Sequence, residues 1–268
     1  MGVTAILFPG QGSQTPEMRE TVAEVRPDLL SAAEEVIGED PFARAEEGTR
    51  FAQPAIFCAS LAGWEKLGRP SGDSMAGHSL GELAALVAAG RLDERDGLKL
   101  VALRGRLMQE SGERAGDGGM LALLGKGAAD HAGELAEAHG LAVANDNSPQ
   151  QVVLSGDRSG FEAASAAAKE FGLRAMELPV TGAFHSPMMA EAVPPFEAAL
   201  EDVEVSPARD GVTVLSAVTA APFEDVRAQL AQALTMPVRW RETLLAMHER
   251  GADRFVEVGP GRVLTGLV

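Results

Sequence analysis

The chain has 268 residues, 46% of them hydrophobic and 23% charged, enough to bury a sizeable core, and its 4% aromatic content leaves that core to Ala, Leu, Val and Met. Its 39 acidic against 23 basic residues give a formal charge of −16, which speaks for solubility and against a general nucleic-acid surface, since phosphate contacts need a basic face. The single cysteine, Cys58, rules out an internal disulfide and reads as packing within the apolar run AIFCAS; no cysteine cluster suggests a metal, and no apolar run is long enough to span a membrane.

Val3–Phe8 is an apolar run stopped by Pro9-Gly10 and reads as a buried strand. No basic region precedes it, so the N-terminus reads neither as a secretory signal nor, at Met1-Gly2, as a myristoylation site, and the cytoplasm is the expected location. "PGQGSQTP" reads as a turn, 17–38 as a helical region with a polar face, Gln53–Leu67 as a buried helix and Pro70–Asp73 as a loop. Ser74–Gly77 is a short strand and Leu80–Ala89 an apolar helix, joined by a tight glycine turn. Leu92–Glu110 is a further helix, followed by a polar, Gly-rich linker at 111–119.

Beyond the linker the pattern changes. Met120–Leu124, Leu141–Asn145, Gln151–Ser155 and Leu173–Val180 read as strands, with "DNSPQ" as the turn between the second and third and helices at Ala128–His139 and Phe161–Phe171. That is the β-α-β-β-α-β order of a ferredoxin-like unit, here a small subdomain at 116–181 inserted into a larger one at 1–115 and 182–268. The larger part resumes with strands at Val212–Val218 and Arg254–Val258 and helices around 222–234 and 240–250. Alternating strands and helices predict an α/β fold with a mainly parallel sheet covered on both faces.

Four stretches could carry chemistry. In "AGHSLGE", Ser79 with Glu82 has the form of a capping box, while Gly77-x-Ser79-x-Gly81 has the form of a nucleophile elbow between strand and helix. On the second reading the Leu80 N–H, at a helix N-terminus, is a natural oxyanion donor. A serine nucleophile needs a base. Of the five histidines, His185 stands apart, in the loop "VTGAFHSPMM" at the subdomain junction; His131 and His139 belong to a polar helix, His248 to a helix end, and His78 adjoins Ser79 and so faces elsewhere. In "FPGQGSQ", Gly10 and Gly12 flank Gln11, either as a plain turn or so that the Gln11 N–H points into a cleft as a second oxyanion donor. Arg104 shares its helix face with Leu100, Leu107 and Met108, either in a buried salt bridge or as a clamp for a substrate carboxylate.

Together "FPGQGSQ", "AGHSLGE", "LRGRLMQ", "VANDNSP", "AFHS" and "EVGPGRVLTG" resemble, in order and from residue 8 to 266, the malonyl-CoA:acyl carrier protein transacylases of fatty acid and polyketide synthesis. The resemblance implies an α/β-hydrolase-like large subdomain with a ferredoxin-like insert. It implies Ser79 as acyl-accepting nucleophile, His185 as base oriented by a backbone carbonyl, the Gln11 and Leu80 amides as oxyanion hole, Arg104 as partner of the malonyl carboxylate, and Phe184 as a residue that goes with malonyl rather than branched substrates. It implies malonyl-CoA and an acyl carrier protein as partners, the latter docking on a local basic patch, with no cofactor or metal, no nucleic acid or membrane partner, and a monomer. An acyl hydrolase of the same fold would share Ser79 and His185 but have little use for Arg104; a non-catalytic carrier-docking module would need none of them. The chain departs from the family twice: Ala233, beside Gln232, stands where the family usually has Gln, and the chain ends at Val268, where many relatives continue.

Overall fold

The computed structural model describes residues 2–70 and 72–268; Met1, and Ser71 of the loop expected at Pro70–Asp73, lie outside the described residues. The first strand, β1 (Val3–Phe8), is apolar from Ala5 to Phe8 because both of its faces are covered there: Ile6 and Phe8 join one apolar cluster, Ala5 and Leu7 another. The helical region expected at 17–38 holds two helices, α1 (Met18–Val25) and α2 (Pro27–Ile37), because Pro27 takes the first turn of the second and has no N–H with which to continue the first. The long helix α3 (Thr49–Lys66) starts ahead of the expected Gln53, contains Pro54, and is buried on nearly every side.

After β2 (Ser74–Gly77) come α4 (Gly81–Ala88) and α5 (Glu94–Ala115), whose start is capped by the Asp93 side chain accepting from the Arg95 and Asp96 amides. The linker expected at 111–119 is mostly helix: Ser111 and Gly112 are buried in α5, where Gly112 lies against the backbone of Thr181 and Gly182. Only Gly116 and Asp117 separate α5 from β3 (Gly118–Leu124). Then follow α6 (Ala128–Ala138), β4 (Ala142–Ser148), β5 (Gln151–Asp157), α7 (Phe161–Glu170) and β6 (Arg174–Glu177). Asp146–Ser148, expected in a turn, extend β4, and the hairpin closes on Pro149-Gln150 alone. The expected strand to Val180 stops at Glu177.

These four strands form an antiparallel sheet in the order β4-β5-β3-β6, the ferredoxin-like arrangement. Leu121, Leu123, Val152 and Leu154 pack on one face with α6 and α7, whereas Met120, Ala122, Ala144 and Val153, on the other, belong to the main core.

The rest of the chain supplies α8 (Val193–Glu201), β7 (Thr213–Ser216), β8 (Ala221–Pro222), α9 (Val226–Gln232), α10 (Trp240–Glu249) and β9 (Ala252–Glu257). Helix α8 was not anticipated; Pro194 and Pro195 sit in its first turn, which tolerates proline. The second sheet runs β8-β7-β2-β1-β9, parallel except for the two-residue β8, which was also not anticipated. Phe8 at the end of β1 pairs with Gly77 at the end of β2. The two glycine-bearing loops therefore leave the carboxyl edge of the sheet side by side, where ligands of α/β sheets bind.

Candidate active site

Sterics build the turn after β2. A Cβ on Gly77 would lie 1.9 Å from the Gly81 carbonyl carbon, and one on Gly81 would lie 2.3 Å from the Phe8 carbonyl oxygen, so neither position accepts a side chain. Ser79 between them has φ +53°, a left-handed conformation held by its surroundings. The capping box is not formed: α4 has no side-chain cap, and the buried Glu82 instead accepts from the Ala217 N–H at 2.8 Å and the Ser216 hydroxyl at 3.2 Å. Burial pushes the Glu82 carboxyl up to about 7.

The Ser79 hydroxyl lies 2.9 Å from His185 Nε2. On the other side of the ring, Nδ1 donates to the Ala233 carbonyl oxygen at 2.8 Å. A carbonyl only accepts, so the proton sits on Nδ1 and Nε2 is free to accept from Ser79. Burial, then the positive charge of Arg104, holds the imidazole down to about 3. His185 also has positive φ, +57°.

Arg104, 3% exposed, donates from Nη2 to Ser79 Oγ at 3.1 Å and from Nη1 to Gln53 Oε1 at 2.8 Å. The salt bridge that was one of its two readings is absent: Arg104 forms no ion pair among the described residues. Burial lowers its pKa to about 10, which leaves it a cation at neutral pH.

Gln11 lies in the loop after β1, packed on the elbow so closely that a Cβ on Gly10 would be 2.6 Å from the His78 carbonyl oxygen. Among the described residues the backbone N–H groups of Gln11 and Leu80 donate to no protein acceptor. Both residues line a cleft of about 370 Å³ together with Ser79, His185 and Phe184. Met108, Met120, Leu178 and Val180 give it an apolar wall, and Met120 and Asn145 are contributed by the small sheet.

Of the other histidines, His78 also lines the cleft, while His131 and His248 make their contacts outside it. His78 Nε2 lies 2.8 Å from Asn147 Oδ1 with its ring edge towards Trp240, His131 stacks on Phe171, and His248 bonds the Ala252 carbonyl. Cys58 is fully buried, and burial pushes its thiol far up. Among the described residues no group of His, Cys, Asp and Glu could hold a metal ion, and no helix is long and apolar enough to cross a membrane.

Thr49, Gln53 and Asn147 touch the site or its walls and were not singled out from the sequence. Gln53 left one signal, a polar side chain inside the apolar stretch that became α3; Asn145 and Asn147, two apart on β4 and both buried, left another.

Residues 6–268 match the acyl transferase domain family. The chain is 38% identical to the polyketide biosynthesis malonyl CoA-acyl carrier protein transacylase BaeC of Bacillus velezensis, over 98% of this chain and 94% of that one. It is equally, 38%, identical to the polyketide biosynthesis protein ThaF of Burkholderia thailandensis, where it covers 98% of itself but spans only 24% of the longer protein. The crystal structure of an acyl carrier protein S-malonyltransferase from Vibrio cholerae superimposes with a TM-score of 0.88 at 37% identity, covering 98% of this chain and 92% of that one.

Proposed function

Since the chain belongs to the malonyl-CoA:acyl carrier protein transacylases, within the acyl transferase domain family, we propose that it moves a malonyl group from coenzyme A to the phosphopantetheine thiol of an acyl carrier protein through a malonyl ester on Ser79. The observation that carries this reading is the position of the Ser79 hydroxyl, between the unprotonated Nε2 of His185 and the guanidinium of Arg104, a buried cation with no carboxylate partner among the described residues.

His185 Nε2 takes the Ser79 proton as Oγ attacks the thioester carbonyl, and the Ala233 carbonyl steadies the imidazolium through Nδ1. The Gln11 and Leu80 amides, which have no protein acceptor, receive the oxyanion. When the tetrahedral intermediate collapses, the coenzyme A sulfur leaves with the proton from His185. The carrier's thiol then gives its proton to His185, attacks the ester, and Ser79 recovers a proton as it departs, a ping-pong sequence.

Arg104 supplies a bidentate partner for the free carboxylate of the malonyl group and holds the ester where water attacks poorly. Phe184, 5% exposed on the cleft wall, crowds a branch at the 2-position. Ala233 in place of Gln is compatible with this chemistry because its backbone carbonyl, not its side chain, meets His185. The reaction uses no cofactor or metal, and the reading carries with it a cytoplasmic monomer.

The test is incubation with radiolabelled malonyl-CoA. A labelled ester is expected on the unmodified protein and not on Ser79→Ala, with transfer of the label on addition of a phosphopantetheinylated carrier. A folded, unmodified protein that takes up no label overturns the reading.

A further inference from the structure

Beyond the residues that meet substrate in the reading above, a line of side chains runs from Arg104 back to Gln11. Arg104 Nη1 donates to Gln53 Oε1 at 2.8 Å, Gln53 Nε2 donates to Thr49 Oγ1 at 2.9 Å, and Thr49 Oγ1 donates to Gln11 Oε1 at 2.7 Å. The directions of the first two bonds follow from the first member. A guanidinium only donates, so Gln53 turns its oxygen to Arg104 and its NH₂ to Thr49. The Thr49 oxygen is then accepting; its hydrogen goes to Gln11, which presents its oxygen. Bonds aligned head to tail away from a buried cation polarise one another.

The backbone makes the line possible. A Cβ on Gly105 would lie 2.8 Å from the Thr49 carbonyl oxygen, so glycine beside Arg104 lets α5 close on the first turn of α3. Thr49 and Gln53 sit one turn apart on that helix, each 1% exposed. Gln11 itself is exposed, and the other hydrogen bonds of its loop, Ser13 to the Gly10 carbonyl and the Gly12 amide to Gln14, stay within the loop. The Thr49 hydroxyl is the one side chain outside the loop that bonds Gln11 among the described residues.

We propose that Thr49 and Gln53 are positioning residues that tie the Gln11 loop to Arg104, so that the amide receiving the oxyanion is set by the same network that holds the carboxylate-binding guanidinium. This rests on the malonyl-transfer reading and deepens it. The acyl groups favoured are those that bear a carboxylate, and they are favoured in the chemical step as well as in binding.

The experiment compares the full chain with Thr49→Val, which keeps the shape and removes the hydroxyl, and with Thr49→Ser, which restores it. The acylation half-reaction with malonyl-CoA is followed together with amide hydrogen exchange at Gln11 and Gly12. Thr49→Val is expected to lower kcat about tenfold with KM changed less than about twofold and to speed exchange in the loop, and Thr49→Ser to recover both. Gln11→Met, on an exposed position, removes the acceptor but keeps the backbone N–H; it is expected to lose a similar factor, and the double variant no more than either alone.

An unchanged kcat in folded Thr49→Val or in Gln11→Met overturns the proposal. So does a Thr49→Ser variant as slow as Thr49→Val, which would mark a purely steric role. Failure of the malonyl-transfer reading shows separately, as absence of a Ser79 ester in the unmodified protein; loop exchange then decides whether Thr49 holds Gln11.

Discussion

The Ser79 hydroxyl accepts from Arg104 and faces an imidazole that burial keeps neutral. An isolated histidine changes charge near pH 6.5, but His185, held down to about 3, stays unprotonated across the whole range in which the protein would be assayed. A base works in its neutral form, so activity falls only as pH drops towards the lowered value. The value of kcat/KM, which reports the free enzyme, is therefore expected to be flat from pH 8 down to 5 when acylation is measured with a malonyl thioester that carries no phosphate. A limb with its midpoint near 6.5 would show that the ring is not desolvated in this way. The same depression bears on stability. The folded protein binds fewer protons at His185 than the unfolded chain between pH 3 and 6.5, so this contribution is complete above 6.5 and is lost as pH falls through that window.

At the scale of single elements, local stereochemistry explains most of what was legible. The glycines around Ser79 and the apolar run of β1 each act within a few residues, and the elbow appears where the G-x-S-x-G spacing placed it. Proline sets boundaries here: Pro27 divides the helical region 17–38 into two helices, and Pro194 and Pro195 sit in the first turn of α8. The elbow gives the sharpest test at this scale. In Gly81→Ala the new methyl group would meet the Phe8 backbone carbonyl oxygen at 2.3 Å, with no flexible side chain to move aside. A loss of about 3 kcal/mol is expected, seen as a melting midpoint lower by roughly 6–12 °C. A midpoint within about 2 °C of the unmodified protein would show that β1 and the elbow are not packed as tightly as this.

Over the whole molecule, the small sheet is bound to the larger part by more than two chain crossings. One of its faces lies in the main core, and its edge strand β4 is covered where the Asp146 amide donates to Val238 O at 2.9 Å and the Val238 amide to Ala144 O at 2.8 Å. Beside that bridge, Arg241 on α10 donates to both carboxylate oxygens of Asp146. The pair is partly exposed, at 36% and 18% for its two side chains, so its net contribution is modest. Arg241→Ala is expected to cost about 1 kcal/mol, a midpoint lower by about 2–4 °C in dilute buffer and by less in 1 M salt, where an exposed pair is screened. A loss undiminished by salt would mean that Arg241 acts through packing instead.

The strand-turn-helix at Ser79, the ferredoxin-like strand order, the inward face of Arg104 and the loop placement of His185 could all be read from the chain, because each depends on neighbours or on a short periodic pattern. Meetings between distant segments could not. Ser79 and His185 are 106 residues apart, Arg104 and Gln53 are 51 apart, and Thr49 and Gln11 are 38 apart. Whether Arg104 found a carboxylate or was left without one, whether Ser79 capped its helix or turned to an imidazole, and which carbonyl took the proton on Nδ1 were decided when β1 and β2 paired in register and α5 closed on α3 through Gly105. Hydrogen bonding acts over about 3 Å, and only the packed chain brings those groups within that distance.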